Sequence, residues 1–427
     1  MNPNTFKKLS VAALALGASA ISLQAGSFKE MSGHLDLDGD FVGYMDFDGE
    51  GKVLGDKLNV IYQQFADSNP NVPPFPIDFP AIFETLGFGS VRSMGMSSTE
   101  VEQGLHRNRS VTLLEGDPAG LFGVYSLDKI GFRAAKIAPA DASTVISGRF
   151  DFDAIVSTAQ SLASTIMGPM GEGMVMQGLG QPVADTDITV GELVSALSGG
   201  MDLIVVQNME NPAAPDIKGY LALKGAGGLV ERLEPMMTQM GVQFSDTDKG
   251  RVADLSMFLQ GAPIGLFVEV SSDSNDLLIY TDSEWVKTLG TGEGLVDSAA
   301  YQRVAGRLPE DAAFYAYSSG VEVDQLVGLL EQNPEMAAFA PLIANAVESL
   351  LGGFLAPSAS ATYREGDALI TEGYSGFSYK DAVAVLPVGI AGGVGIAAAA
   401  EKMKKAQSWS GGSADGGTSE GAGEDSE

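Results

Sequence analysis

The sequence predicts an α+β fold with repeated antiparallel sheet units, helices packed on one face of each sheet, and a C-terminal Ala/Gly-rich helix. One pattern recurs along the chain, in which an apolar strand leads through a short acidic turn into an amphipathic helix. A second helix ending in Leu and Gly then appears three times, followed each time by strand-like segments. Short apolar or β-branched runs such as 110–114 and 266–270 have the length of strands. This order of elements favours a sheet with helices against one face.

The recurring elements are placed by residue number as follows. The strand–turn–helix pattern occurs three times in full: strand 39–47 with helix 53–65, strand 143–152 with helix 153–166, and strand 312–317 with helix 323–332. Two shorter versions are strand 218–223 with helix 229–240 and strand 276–280 with helix 284–289. The second helices lie at 81–87, 191–199 and 342–352, and the strands after them at 91–96 and 110–114, at 201–207, and at 358–363 and 368–372.

These recurrences divide the body of the chain into three α+β units, 26–140, 141–300 and 301–377. A single α+β domain in which ordinary strand–helix alternation resembles a repeat is the alternative interpretation. The stretch 69–80 contains five prolines and is expected to be an extended loop, since proline interrupts helices and central strands.

Composition excludes several classes of function. The chain has 55 acidic and 25 basic residues among 427, a formal net charge of -30, so it would repel a nucleic acid. It has no cysteine, which excludes disulfides, thiolate metal sites and cysteine nucleophiles. No cofactor-binding motif stands out either, and the expectation is that none is used.

The first 25 residues have the three parts of a signal peptide. Lys7 and Lys8 precede a mostly apolar run at 9–16 that is too short to span a bilayer, and small residues before Ala25 offer a cleavage site. The prediction is export to the periplasm or cell envelope.

A second uncharged run, 382–400, is long enough for a transmembrane helix. Three lysines follow it, which predicts an anchor in the inner membrane with the body outside. Gly389 and Gly393 form a small-residue pair suited to self-association of such helices. Residues 401–427 are rich in Gly, Ser and acidic residues and are expected to be a disordered tail.

Two segments resemble known families. The stretch Leu308-Pro309-Glu310-Asp311 before an apolar strand is similar to the opening of the repeated units in a family of exported bacterial domains of uncharacterised function. This resemblance implies architecture and address, and no activity. The segment from Gly376 through the apolar run to the following lysines resembles the start of a type IV pilin-like helix, with Phe377 and Asp381 at the matching positions.

One candidate metal site emerges from the acidic residues. Asp46, Asp48 and Glu50, with Gly51 after them, match the first half of an EF-hand calcium loop. The last ligand of that loop should be a glutamate, whereas this chain has Lys57. The expectation is weak calcium binding at best, and an acidic turn in water is the alternative.

Methionines cluster in two places. One cluster comprises Met167, Met170, Met174 and Met176 among several glycines, and the other comprises Met236, Met237 and Met240. Their spacing favours core packing, while an apolar binding groove and a copper(I) site are the alternatives. The glycines around the first cluster predict a mobile loop.

No catalytic group stands out. Ser126 and Lys129 match a two-residue pattern of penicillin-recognising enzymes, but the partner motifs of that family are missing. His34 could pair with Asp36, while His106 and the two arginines after it, Arg107 and Arg109, lie in a predicted turn. These arginines would meet an acidic partner or pair internally.

The resulting hypothesis is a non-enzymatic cell-envelope protein that binds or scaffolds an unknown envelope protein. The alternative is a periplasmic carrier of an apolar ligand such as a lipid, held between sheet and helices.

Overall fold

The fold is given by a computed structural model. It describes residues 25–69, 77–124, 128–183, 186–208, 216–259, 264–321, 323, 327–328 and 340–383. The chain divides into two units, residues 1–378 and 379–427, and every strand and helix named below lies in the first.

Thirteen strands of the described residues form one antiparallel sheet. They are β1 (Phe41–Asp46), β2 (Val91–Glu102), β3 (Leu105–Leu114), β4 (Thr144–Arg149), β5 (Gly200–Asn208), β6 (Asp216–Leu223), β7 (Phe244–Thr247), β8 (Gly250–Asp254), β9 (Phe267–Ser271), β10 (Leu277–Tyr280), β11 (Phe314–Ser318), β12 (Ser358–Glu365) and β13 (Ala368–Ser375). Their order across the sheet is β1-β2-β3-β13-β12-β11-β4-β5-β6-β10-β9-β8-β7.

The described helices alternate with these strands. They are α1 (Ala25–Met31), α2 (Glu50–Ser68), α3 (Phe79–Thr85), α4 (Arg133–Ile137), α5 (Phe152–Met167), α6 (Pro169–Leu179), α7 (Val190–Ala196), α8 (Gly227–Gln239), α9 (Ala299–Ala305) and α10 (Ala340–Leu355). Side-chain caps explain why acidic turns precede some of them: Asp78 accepts a hydrogen bond from the amide of Ala81, and Asp151 accepts one from the amide of Ala154.

The predicted α+β fold with recurring antiparallel sheet units is confirmed. Three times, a short helix, a strand and one or more helices are followed by a hairpin: the strands of these groups are β1 to β3, β4 to β6, and β11 to β13. Each predicted segment also supplies one contiguous block of the sheet, and the block from 301–377 lies in the middle. The exact boundaries at 140 and 300 stay a prediction.

The larger core lies on one face of the sheet. The short helices α1, α4 and α9 pack on the strands there and contribute Met31, Ala134 and Val304. Strand residues complete it, among them Val111, Val145, Ile204, Tyr315, Tyr317 and Ile370.

A second core lies on the opposite face, at the other end of the sheet. Leu229 and Val230 of α8 pack there with Val268 and Leu277, which alternate with residues of the first face. Helices therefore lie against both faces of the joined sheet.

Several local expectations are corrected. The segment 168–180, expected to be a mobile loop, contains helix α6, and the helix expected at 284–289 is a single 3₁₀ turn, Trp285–Thr288. Strands β7 and β8 were not predicted, because both are short and both contain charged residues.

The transmembrane helix expected at 382–400 is also corrected. Within the described part of the chain, no helix has the length and hydrophobicity needed to cross a membrane. The expectation depended on length and flanking lysines, whereas Ala and Gly are only weakly hydrophobic. Residues 384–427, with Gly389, Gly393 and the acidic tail, and residues 1–24 of the expected signal peptide lie outside the described residues.

Candidate functional site

The candidate calcium residues form the end of a strand and the start of a helix. Asp46 ends β1 and accepts a hydrogen bond at 3.3 Å from the amide of Asp48, while Gly49 has a left-handed backbone (φ 72°) and Glu50 opens α2. An EF-hand keeps twelve residues in its loop, but here the helix begins at the fifth position and already includes Lys57. Among the residues with described positions, no group of three or more His, Asp or Glu could hold a metal ion. The calcium affinity of this turn stays a prediction.

Arg107 and Arg109 lie on strand β3 and pair internally. Both donate to Glu372 of the neighbouring strand β13, Arg107 through two hydrogen bonds of 3.0 Å and Arg109 through one of 3.0 Å. The hydroxyls of Tyr363 and Tyr374 donate to the same carboxylate at 3.1 and 3.0 Å. Glu372 is only 4% exposed, so this group, the Glu372 cluster, is a buried ionic network.

The charge state of Glu372 follows from this environment. Burial acts to raise the pKa of its carboxyl group, but the hydrogen bond from Arg107 and the charges of Arg107 and Arg109 outweigh burial. The pKa of Glu372 therefore lies below its ordinary value, and the carboxylate is ionised at neutral pH.

A second buried network joins strands β4, β5 and β6. Asp202 accepts from the hydroxyl of Ser147 at 2.7 Å and lies 3.3 Å from Arg133 and 3.5 Å from Lys224. Lys224 also donates to Asp276 at 2.9 Å. Burial acts to raise the pKa of Asp276, but the hydrogen bonds from Lys224 and from the amide of Gly225 lower it by more. The net shift is therefore downward.

Sequence reasoning missed both networks because their partners are far apart in the chain. One signal was available. Every second residue of strand β13, namely Ala368, Ile370, Glu372 and Tyr374, lies on the same buried face. A charged residue at that position of an apolar alternation indicates a buried carboxylate that needs a cationic partner.

The histidines lie beside carboxylates. His34 Nδ1 is 3.6 Å from Glu365, rather than paired with Asp36 as expected, and His106 Nδ1 is 3.8 Å from Asp40. Lys129 forms an exposed ion pair with Asp311, while Ser126 lies outside the described residues. The pairing of Ser126 with Lys129 therefore lies outside the described residues.

The first methionine cluster lies on a helical hairpin, α5 and α6, which we call the methionine hairpin (residues 152–179). Gly168 joins the two helices with a left-handed φ of 66°, and the buried Gly171 allows α6 to approach the carbonyl oxygen of Ala163 in α5. Through this close contact α6 packs with one narrow stripe, Gly171, Val175 and Leu179, and leaves its other residues exposed.

The methionines of this hairpin point into solvent. Met170 is 70% exposed and Met174 56%, and Met176 and Met167 are exposed as well. The expected core role is therefore wrong for this cluster. In the second cluster Met237 is buried as expected, whereas Met240 is 46% exposed. Spacing along a helix predicts which side chains share a face, but it does not predict which way that face points.

The segment that carries these methionines has almost no charge. Between Ala154 and Val183, Glu172 is the one charged residue, in a chain with a net charge of -30. An exposed apolar surface of this kind marks an interaction site more often than a free surface.

Comparison with family models, with curated proteins and with solved structures found no match for this chain.

Proposed function

We propose that this chain is an exported, non-enzymatic binding protein of the cell envelope that contacts a partner protein through the methionine hairpin. The observation that carries the proposal is the exposure of Met170, Met174 and Met176 in a stretch of chain, 154–183, whose one charged residue is Glu172. Interface centres are enriched in methionine and depleted in charge, which is the composition of this surface.

The partner is expected to present an apolar surface. Methionine side chains are flexible and polarizable, so they adapt to partners of different shape. Helices α3 and α7 pack against the hairpin and would hold this adaptable surface in place. The net charge of -30 disfavours contact with an anionic lipid surface, which supports a protein as the occupant.

A non-enzymatic role is supported by the condition of the buried acidic groups. Glu372 receives hydrogen bonds from two arginines and two tyrosines, and Asp202 and Asp276 share a lysine. A general acid or base must reach a substrate to exchange a proton with it, whereas these carboxylates are buried and already occupied by hydrogen bonds and ion pairs.

Site-specific photo-crosslinking in the producing cells tests the surface. A photoreactive residue at position 174 should give a discrete protein adduct, and substitution of Met170 and Met176 by Gln should reduce that adduct strongly. The matched control is position 257, a methionine that is 57% exposed but lies outside the hairpin. A lipid adduct would favour the carrier alternative, and equal adducts at 174 and 257 would overturn the proposal.

Export is proposed from the sequence of the first 25 residues, of which 1–24 lie outside the described residues. The mature protein should be recovered from the envelope fraction, with an intact mass that lacks those residues. Recovery of the full-length chain from the cytosol would contradict export.

A further inference from the structure

The two edges of the sheet are protected to different degrees. The edge strand β7 has four residues and contains Asp246, and Arg251 lies over its Phe244 ring at 5.4 Å while bonded to Glu234. Short length and charge are the usual means by which an edge strand avoids pairing with other chains. The opposite edge strand, β1, has six residues and carries a charge only at its last residue, Asp46.

The backbone of β1 presents hydrogen-bonding groups outward. The amide of Phe47, just after the strand, donates to the carbonyl of Arg92 in β2 at 2.9 Å. In an antiparallel ladder alternate residues bond to the same neighbour, so Gly43 and Met45 also bond to β2. Val42, Tyr44 and Asp46 then direct their amides and carbonyls away from the sheet, where no strand of the described residues pairs with them.

The side chains of β1 suit an added strand. Residues 41–45 carry no charge and include no proline or lysine, which natural edge strands use to block pairing. Val42 on one face is 39% exposed and Met45 on the other is 48% exposed, so both faces of an added strand would find an apolar neighbour.

The charges on both sides of β1 restrict which strand fits. Asp38 and Asp40 precede the strand, and Asp46, Asp48 and Glu50 end it or follow it. The nearby Asp36 is already paired with Arg107 at 3.4 Å. A second copy of this chain paired antiparallel on β1 would bring these two acidic segments opposite each other, which is unfavourable. A strand with basic residues at both ends would instead meet opposite charge at both ends.

We infer that β1 accepts an added strand from a partner polypeptide whose apolar stretch is flanked by lysine or arginine at both ends. This mode, β-strand addition, draws its affinity from backbone hydrogen bonds and its selectivity from the flanking charges. It is independent of the methionine hairpin, because the two surfaces share no residue.

Two synthetic peptides test the inference on the purified exported chain. Both contain the stretch Val-Thr-Val-Thr-Val-Thr, one with a lysine pair and the other with a glutamate pair at each end. The lysine peptide should bind at least about ten-fold more tightly, and the difference should shrink as salt screens the charges. Gln at positions 170, 174 and 176 should leave this binding unchanged, which separates the result from the proposed function.

Hydrogen exchange locates the bound peptide without any substitution. The amides of Val42, Tyr44 and Asp46 should exchange rapidly in the free protein and become protected with the lysine peptide, whereas those of Gly43 and Met45 should be protected throughout. Val42→Pro removes one outward donor and should weaken binding about ten-fold, while Val42→Thr keeps the donor and should bind normally. Thermal unfolding of both variants checks that they fold.

Three results would overturn the inference. They are equal binding of the two peptides, no binding of the lysine peptide at millimolar concentration, and protection that appears away from β1 when the lysine peptide binds.

Discussion

At the residue scale, the Glu372 cluster concentrates charge inside the protein. Its carboxylate lies between strands β3 and β12, and it holds Arg107, Arg109, Tyr363 and Tyr374 together across three strands. A buried ion pair contributes little over apolar packing, but removal of one partner leaves the others uncompensated and is costly. A shift in the register of these three strands would therefore separate the charged groups of the cluster and be unfavourable.

Glu372→Gln should lower the free energy of unfolding by about 3 kcal/mol, because Arg107 and Arg109 would lose their shared counter-charge. Urea unfolding followed by circular dichroism measures this loss. The matched control is Glu365→Gln, an exposed carboxylate near His34, which should change stability by less than about 0.5 kcal/mol. Similar losses in the two variants would show that Glu372 has no special role.

Acid should destabilise the protein through the same carboxylate and through Asp276. Both have folded-state pKa values below their ordinary values, so each contributes stability above its unfolded pKa and loses it as pH falls through the folded pKa. Stability should be steady near neutral pH and decline below about pH 4. The decline should be shallower in Glu372→Gln, and an identical pH dependence in both proteins would contradict this assignment.

At the element scale, helix α6 shows how packing overrides local propensity. Its three internal glycines disfavour a helix and led to the prediction of a loop. Pro169 in the first turn and the close packing of Gly171 against α5 favour the helix instead. Only the second of these causes depends on tertiary structure, and it was invisible in the sequence.

Two glycines of α6 should therefore respond in opposite directions to alanine. At Gly171 a Cβ atom would overlap the carbonyl oxygen of Ala163, so Gly171→Ala should separate the hairpin and increase hydrogen exchange across 152–179. At Gly173 nothing lies within 4 Å of the added Cβ, so Gly173→Ala should stabilise the helix by up to about 1 kcal/mol. Destabilisation by both variants would count against the packing described for Gly171.

Prediction succeeded where the local pattern was strong and failed where partners were distant. Strand-length apolar runs and the acidic turns before amphipathic segments predicted most elements and the α+β fold, as in β13 and in α5. The pairing of β13 with β3 could not be predicted, because no local signal specifies which distant strand is the neighbour. The direction of the methionine face failed for the same reason, since it depends on which stripe of α6 contacts α5.

At the scale of the whole molecule, residues 301–377 connect the other two blocks. Strand β13 pairs with β3 and strand β11 pairs with β4, so no two strands of the outer blocks are neighbours in the sheet. Outside the sheet the outer blocks share a few backbone hydrogen bonds, such as that from the amide of Gly290 to the carbonyl of Ile137 at 2.8 Å. The larger core is likewise shared, with Tyr315, Tyr317 and Ile370 at its centre.

A chain of residues 26–300 should therefore be much less stable than one of residues 26–377. The truncation removes the central strands and exposes the edges of β3 and β4. Strand β3 is long, with 10 residues, and β4 is largely apolar, so both edges are prone to pair with other chains. Limited proteolysis and thermal unfolding of the two chains measure the difference. Equal unfolding temperatures would show that the outer blocks fold independently and that the boundary at 300 separates true domains.

The central position of the last-made block also determines when the molecule can be completed. The ion pair between Arg109 and Glu372 joins positions separated by 263 residues, and such distant pairings make folding slow. During synthesis from the N-terminus, β3 and β4 emerge long before β13 and β11. The backbone hydrogen-bonding groups on one edge of each strand therefore lack their partner strand while translation continues. A nascent chain in this condition is prone to aggregate, and a holding chaperone would be needed until the final segment arrives.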